Sequence, residues 1–194
     1  MLNLNTYLIK EHVGFLKLAD TYDIFDPNTN QQIGVAKEEP GGFIKFLRFL
    51  INKQMLPTSV SIYAQGEDTP LFSIHRGFSF LRAKIKIKDA SGEEIGFFKS
   101  KIFSLGGGFW VYDKNGEQFA EVKGDWKGWN FKFITPDGQE LGQVTKKWAG
   151  FAKEMFTSAD NYIISINEDA PVKEVGNMLL LAAGLAIDVI YKEH

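Results

Sequence analysis

The stretch PVKEVGNMLLLAAGLAIDVIYKE, Pro171 to Glu193, decides how the rest of the chain must fold. Asp169 and Pro171 suit a helix start and Lys192 suits its end, because acids and proline favour the first turn and bases the last. At 1.5 Å per residue this helix is about 33 Å long. A membrane span needs about 20 mostly apolar residues. Here the uninterrupted apolar run, Met178 to Ile187, stops at Asp188, and Asn177 lies just before it. A helix that is apolar on nearly every side, yet too short and too polar at its ends for lipid, is read as buried inside its own protein, with a membrane anchor as the less favoured alternative. It needs an apolar lining, which a barrel of many strands would supply.

Working outward, the preceding chain reads as hairpins. Four segments share an apolar–small pair followed shortly by lysine: IGVAK from Ile33, IGFFK from Ile95, FAEVK from Phe119 and LGQVTK from Leu141. Each follows a turn-forming cluster: DPNTN from Asp26, DASG from Asp89, DKNG from Asp113 and TPDG from Thr135. Asn-Gly supports a type I′ turn, and Pro-Asp-Gly presets a tight one. The irregular spacing of the copies excludes a solenoid. SVSIYAQ (Ser59 to Gln65) and NYIISIN (Asn161 to Asn167) add β-branched, aromatic strands. A total near ten to twelve strands exceeds what one open twisted sheet holds, so a barrel or sandwich is expected. A second helix is expected in GGFIKFLRFLINK, where Phe43, Phe46, Leu47, Leu50 and Ile51 share one face and Lys45, Arg48 and Asn52 are left outside.

Composition bounds the chemistry. The chain has 194 residues, 44% hydrophobic and 24% charged, as expected for one folded domain spanning 1–194. A net charge of -2 gives no global attraction to nucleic acid, and none is expected as a partner. Cysteine is absent, which removes disulfides, thiolate metal sites, thiol nucleophiles and S-acylation. The N-terminus MLNLNTYLIKEH lacks the pattern of a signal peptide. No pair among His12, His75 and His194 has metal-ligand spacing, and neither a nucleophile elbow nor a Walker lysine occurs. LGGGFW (Leu105 to Trp110) reads as a turn, because a strand rather than a helix follows it. His75 reads as a strand residue, and Glu93 and Glu94 as solvated turn carboxylates. Neither a catalytic residue nor a cofactor is expected, and the chain does not read as an enzyme.

The basic residues are clustered. Arg76, Arg82, Lys84, Lys86 and Lys88 occur between positions 76 and 88 with no acid among them, and Lys45, Arg48 and Lys53 form a second group. In RAKIKIK, Ala83, Ile85 and Ile87 take one strand face and the four bases the other, about 7 Å apart along the strand. The stripe can meet several phosphates at once. It can equally be a solvated outer face, or an edge strand guarded by lysine.

The final third resembles the phospholipid scramblase family. LGQVTKKWAGFAKEMFTSADNY, Leu141 to Tyr162, carries its pattern at Lys146, Trp148, Gly150, Lys153, Glu154, Phe156, Thr157, Ala159, Asp160, Asn161 and Tyr162. MLLLAAGLAIDVIYKE is similar to that family's closing helix. GGGFWVYDKNG and the other hairpins agree, less specifically, with the wider LURP-one-related and tubby-like superfamily. The resemblance implies a mainly β fold: a closed antiparallel barrel of about twelve strands around a central apolar C-terminal helix. It also implies calcium-stimulated lipid movement, and phosphoinositide binding by bases in the tubby-like relatives. The chain departs from the family's calcium segment: Ser158 replaces the first acid, Tyr162 and Ile166 fill would-be ligand positions, and only Asp160 and Asp169 keep a carboxylate. It also lacks the proline-rich N-terminal extension and palmitoylated cysteines of the animal proteins.

The expected function is binding of anionic phospholipid or phosphoinositide head groups at a membrane surface by Arg76, Arg82, Lys84, Lys86, Lys88, Lys45 and Arg48. No metal site is expected. The expected location is cytoplasmic, peripheral at the inner face of the plasma membrane. The alternative is a soluble adaptor that binds a protein partner.

Overall fold

A computed structural model of the protein describes residues 1–12, 19–47, 50, 55–78, 84–101, 108–125, 129–146, 161–170 and 174–191. The strands are β1 (Thr6–Glu11), β2 (Thr21–Asp26), β3 (Gln31–Glu38), β4 (Thr58–Ala64), β5 (Phe72–Arg76), β6 (Lys84–Asp89), β7 (Glu94–Ser100), β8 (Gly108–Asp113), β9 (Gln118–Asp125), β10 (Asn130–Ile134), β11 (Glu140–Thr145) and β12 (Asn161–Ile166). Each pairs antiparallel with its neighbours in sequence, and β1 pairs with β12 to close the barrel. A short helix, α1 (Gly42–Leu47), lies between β3 and β4, and α2 (Glu174–Tyr191) follows β12.

Alternation along the strands sends aliphatic and aromatic side chains inward, where Ile24, Ile62, Phe72, Ile87, Phe98, Val111, Phe131 and Ile164 are buried. The helix α2 fills that interior. Every residue from Met178 to Asp188 is buried, and α2 meets β5, β7, β8 and β12 on different parts of the wall. Gly184 sits against β12 so tightly that a Cβ there would lie 2.5 Å from Ile164 Cδ1. Asp188, expected to mark a polar helix end, is instead only 2% exposed and lies near the Tyr22 phenol. Burial and the Asp188 charge together hold the Tyr22 and Tyr162 phenols well above the usual tyrosine range.

The repeat seen in the sequence has a structural meaning. In each of its four hairpins the register slips at the apolar member of the pair. Ile24 faces Gly34 while Phe25 faces Gln32, skipping Ile33, and the slips at Ile95, Phe119 and Leu141 are equivalent. The apolar residue is therefore a β-bulge, which bends the strand and sharpens its twist. The small residue that follows lies against the next strand: a Cβ on Gly34, Gly96 or Gly142 would be 2.6, 2.5 or 2.1 Å from a neighbouring carbonyl oxygen.

The turns also differ from expectation at one point. Asn115 has a negative φ, so Asn115-Gly116 is not a type I′ turn. Instead Asp113 Oδ1 accepts from the backbone N–H groups of Asn115 and Glu117, each at 2.9 Å, and Gly116 supplies the left-handed residue (φ 83°). Asp89 closes its turn the same way with Ser91 and Glu93. These tight turns gather at one rim, and the connections after β1, β3, β5, β7, β9 and β11 leave from the other.

Outward positions carry charge: Lys37, Lys84, Lys86, Lys99, Lys123 and Lys132 project from the outer wall. That polarity is opposite to a barrel that spans lipid, whose outer band is apolar. Among the described residues no helix is long and apolar enough to cross a membrane.

Candidate functional site

The basic stripe lies on adjacent strands. On β5, Phe72 and Ile74 point inward and Ser73 and His75 outward. On β6, Ile85 and Ile87 point inward and Lys84, Lys86 and Lys88 outward. Register sets His75 opposite Lys86 and Ser73 opposite Lys88. Because β6 pairs with both β5 and β7, it is not an edge, and guarding of an edge does not explain its lysines.

Between this wall and the segment from Glu39 into α1 lies an open groove of about 550 Å³. Lys84, Lys86, Lys88, His75 and Arg76 line it, with Glu39, Ile44 and Phe78 also on its wall. Arg76 differs in orientation from the lysines. It ends β5 on the inward side, is 6% exposed, and its Nη2 donates to Thr58 Oγ1 at 3.2 Å and Leu56 O at 3.5 Å. Lys45 is exposed on α1 but is not part of the lining. Arg82 and Arg48 lie outside the described residues.

Two features qualify the charge of the groove, and neither follows from strand alternation. Glu94, expected to be a solvated turn carboxylate, begins β7 and bridges the stripe: Lys86 Nζ is 2.9 Å and Lys84 Nζ 3.9 Å from its oxygens. The bulge at Ile95 brings it opposite Lys88, a register that only the folded hairpin defines. Lys84 also sits 4.1 Å above the Phe97 ring, a cation–π contact that fixes its stem along the wall. Lys88 has no ion-pair partner among the described residues. The Glu39 carboxylate accepts hydrogen bonds from Ser61 Oγ (2.9 Å) and Tyr63 OH (3.0 Å).

His75 is the other addition. Its Nδ1 is 3.1 Å from Ser59 Oγ and its Nε2 2.8 Å from Ser73 Oγ, so both nitrogens are held in the wall of the groove. Partial burial, and then the Lys88 charge, lower its pKa below the usual histidine value.

The lysines of the repeat do different work. Lys37 lies over Tyr63 and Lys99 over Phe97 and Tyr112, while Lys146 lies over Trp129, which packs against the core.

Two of the positions to which the resemblance assigns calcium do not suit the ion. Tyr162 and Ile166 are buried core residues of β12, 1% and 3% exposed, and cannot join the six to eight oxygens that the ion requires. Ser158 and Asp160 lie outside the described residues. Among the described residues no group of three or more His, Asp or Glu is placed to hold a metal ion.

A family model described as Scramblase matches residues 13–194, nearly the whole chain. No curated protein and no solved structure matches it.

Proposed function

The chain belongs to the scramblase family, and from that premise we propose that it binds anionic phospholipid head groups, phosphoinositides among them, at a membrane surface. The observation that carries this reading is the convergence of Lys84, Lys86, Lys88, Arg76 and His75 on one groove where, among the described residues, Glu39 is the single acid of the lining. Ammonium and guanidinium groups make short, charge-assisted bonds to phosphate oxygens. Each base near an anionic surface contributes about 1 kcal/mol. The reading is confined to binding. Movement of lipid between leaflets needs a polar path through hydrocarbon, and α2 fills this barrel with apolar side chains.

Flotation with neutral and anionic vesicles at two salt concentrations tests it. The protein is expected to float only with anionic vesicles and to lose binding as salt screens the contacts. Lys84→Glu with Lys86→Glu is expected to cut that binding by well over about tenfold, since each reversal removes an attraction and adds a repulsion. Glu94→Gln, which releases Lys86 from its bridge, is expected to strengthen it. Melting should barely move, because exposed pairs are worth only about 0–1 kcal/mol. Unchanged vesicle affinity in a folded double variant would make the stripe a solvated outer face and leave the adaptor reading in its place.

A further inference from the structure

The short helix α1 reverses its expected orientation. Helical spacing puts Phe43, Phe46 and Leu50 on one face, the pattern that ordinarily turns toward a core. The structure buries no residue of α1. Phe43 is 71% exposed, Phe46 59% and Leu50 69%, and Phe78, which follows β5, is 64% exposed. Among the described residues the only other exposed large hydrophobic side chain is Val175, at the start of α2. The four are not scattered. The connections after β3 and β5 leave the same rim of the barrel. Phe78 lines the basic groove, as does Ile44 of α1. Scattered apolar side chains on a surface need no explanation, but a group beside a charged site marks an interaction surface.

We propose that Phe43, Phe46, Leu50 and Phe78 form a wedge that enters the head-group boundary of an anionic bilayer while the groove holds a head group. The inference rests on the head-group reading and adds to it an orientation, with the rim that carries α1 facing the membrane and the rim of tight turns facing away. Charge complementarity selects the occupant. Exposed Lys45 lies on the wedge helix itself, and Lys84, Lys86 and Lys88 lie beside it, so the surface is apolar and cationic together. Interfacial segments bind by this combination of buried apolar side chains and attraction to anionic lipid, and stable attachment needs both. In this fold the C-terminal helix contributes no anchor, because its apolar run is buried within the barrel.

The absence of cysteine allows a direct test. Phe46→Cys, Phe78→Cys and, on the opposite rim, Asn115→Cys would each be labelled with an environment-sensitive fluorophore. Each protein is then mixed with phosphatidylserine–phosphatidylcholine vesicles carrying a nitroxide lipid. Labels at positions 46 and 78 are expected to shift to the blue and be quenched, and the label at 115 to stay unchanged. In parallel, Phe43→Ser with Phe46→Ser and Leu50→Ser, none of which lines the groove, is expected to weaken vesicle binding by about tenfold or more. Its affinity for inositol hexakisphosphate, a polyphosphate with no acyl chain, should be kept. Vesicle capture with labels still in water would overturn the wedge and leave the head-group reading intact. Capture by neither vesicles nor the polyphosphate would remove both. A blue shift without vesicles, accompanied by dimers in light scattering, would assign the surface to a second copy of the chain and overturn the wedge.

Discussion

His75 is held between Ser59 and Ser73 and faces Lys86 across the strand pair, with Lys88 close enough to depress its pKa. The ring is therefore mostly neutral at pH 7, and a phosphate in the groove would favour its protonated form. Affinity for phosphatidylglycerol vesicles, whose phosphodiester keeps its charge, is expected to rise as pH falls from about 7 toward 5. His75→Asn should flatten that slope while leaving the contribution of the lysines. An equally steep slope in the variant would place the titrating group elsewhere. The sign for stability is opposite. Below the ordinary histidine value the unfolded chain takes up a proton that the folded, unliganded protein does not, so His75 makes the free fold less stable as pH falls through that value. Anionic ligand and acid thus act against each other on the fold, through one side chain.

At the scale of the element, α2 is stable only because the barrel surrounds it. Leu180 and Leu185 are 0% and 2% exposed, and Gly184 brings the helix against Ile164. Leu180→Asp places a charge in that interior, and a buried charge left without a partner costs about 3–5 kcal/mol. Native stability is typically about 5–15 kcal/mol, so this variant is expected to be unfolded or to melt far below the parent. Thermal unfolding without detergent measures it. A soluble variant with a normal melt would mean that α2 is not the barrel's core. The helix α1 obeys the same rule in reverse. At six residues it is too short to be stable alone, and Phe43 and Phe46 of its apolar face stay exposed.

For the whole molecule, closure depends on β1, which pairs with β2 on one side and β12 on the other. The β1–β12 contact joins the two ends of the sequence, so its loop entropy is lost late and folding is expected to be slow. Deleting residues 1–11 would leave β2 and β12 with open edges, each a template for pairing with another chain. The truncated protein is expected to aggregate, seen as light scattering at concentrations where the full chain is monodisperse. A monomeric truncation with a normal melt would show that the wall closes without β1. With the outer wall charged and the interior apolar, the proposed membrane contact would be made where α1 and the groove beside β5 and β6 lie.

Several features were determined locally and could be read from the residues alone. The period of two in RAKIKIK gave the right faces to Lys84, Lys86, Lys88, Ile85 and Ile87. The Asp-led turns marked the hairpins, and the length of Met178 to Ile187 required a protein lining. The resemblance from Leu141 onward named the family that the match over residues 13–194 shows. What only the tertiary structure decided depends on which strand lies across from which. Alternation could not show that Ile33, Ile95, Phe119 and Leu141 are bulges, or that Glu94 reaches Lys86. Nor could it show that Arg76, on the inward face, and His75, on the outward one, line the same groove. The stripe of Phe43, Phe46 and Leu50 shows the limit most plainly. Periodicity establishes that side chains share a face, but whether that face is covered depends on surfaces contributed by distant parts of the chain.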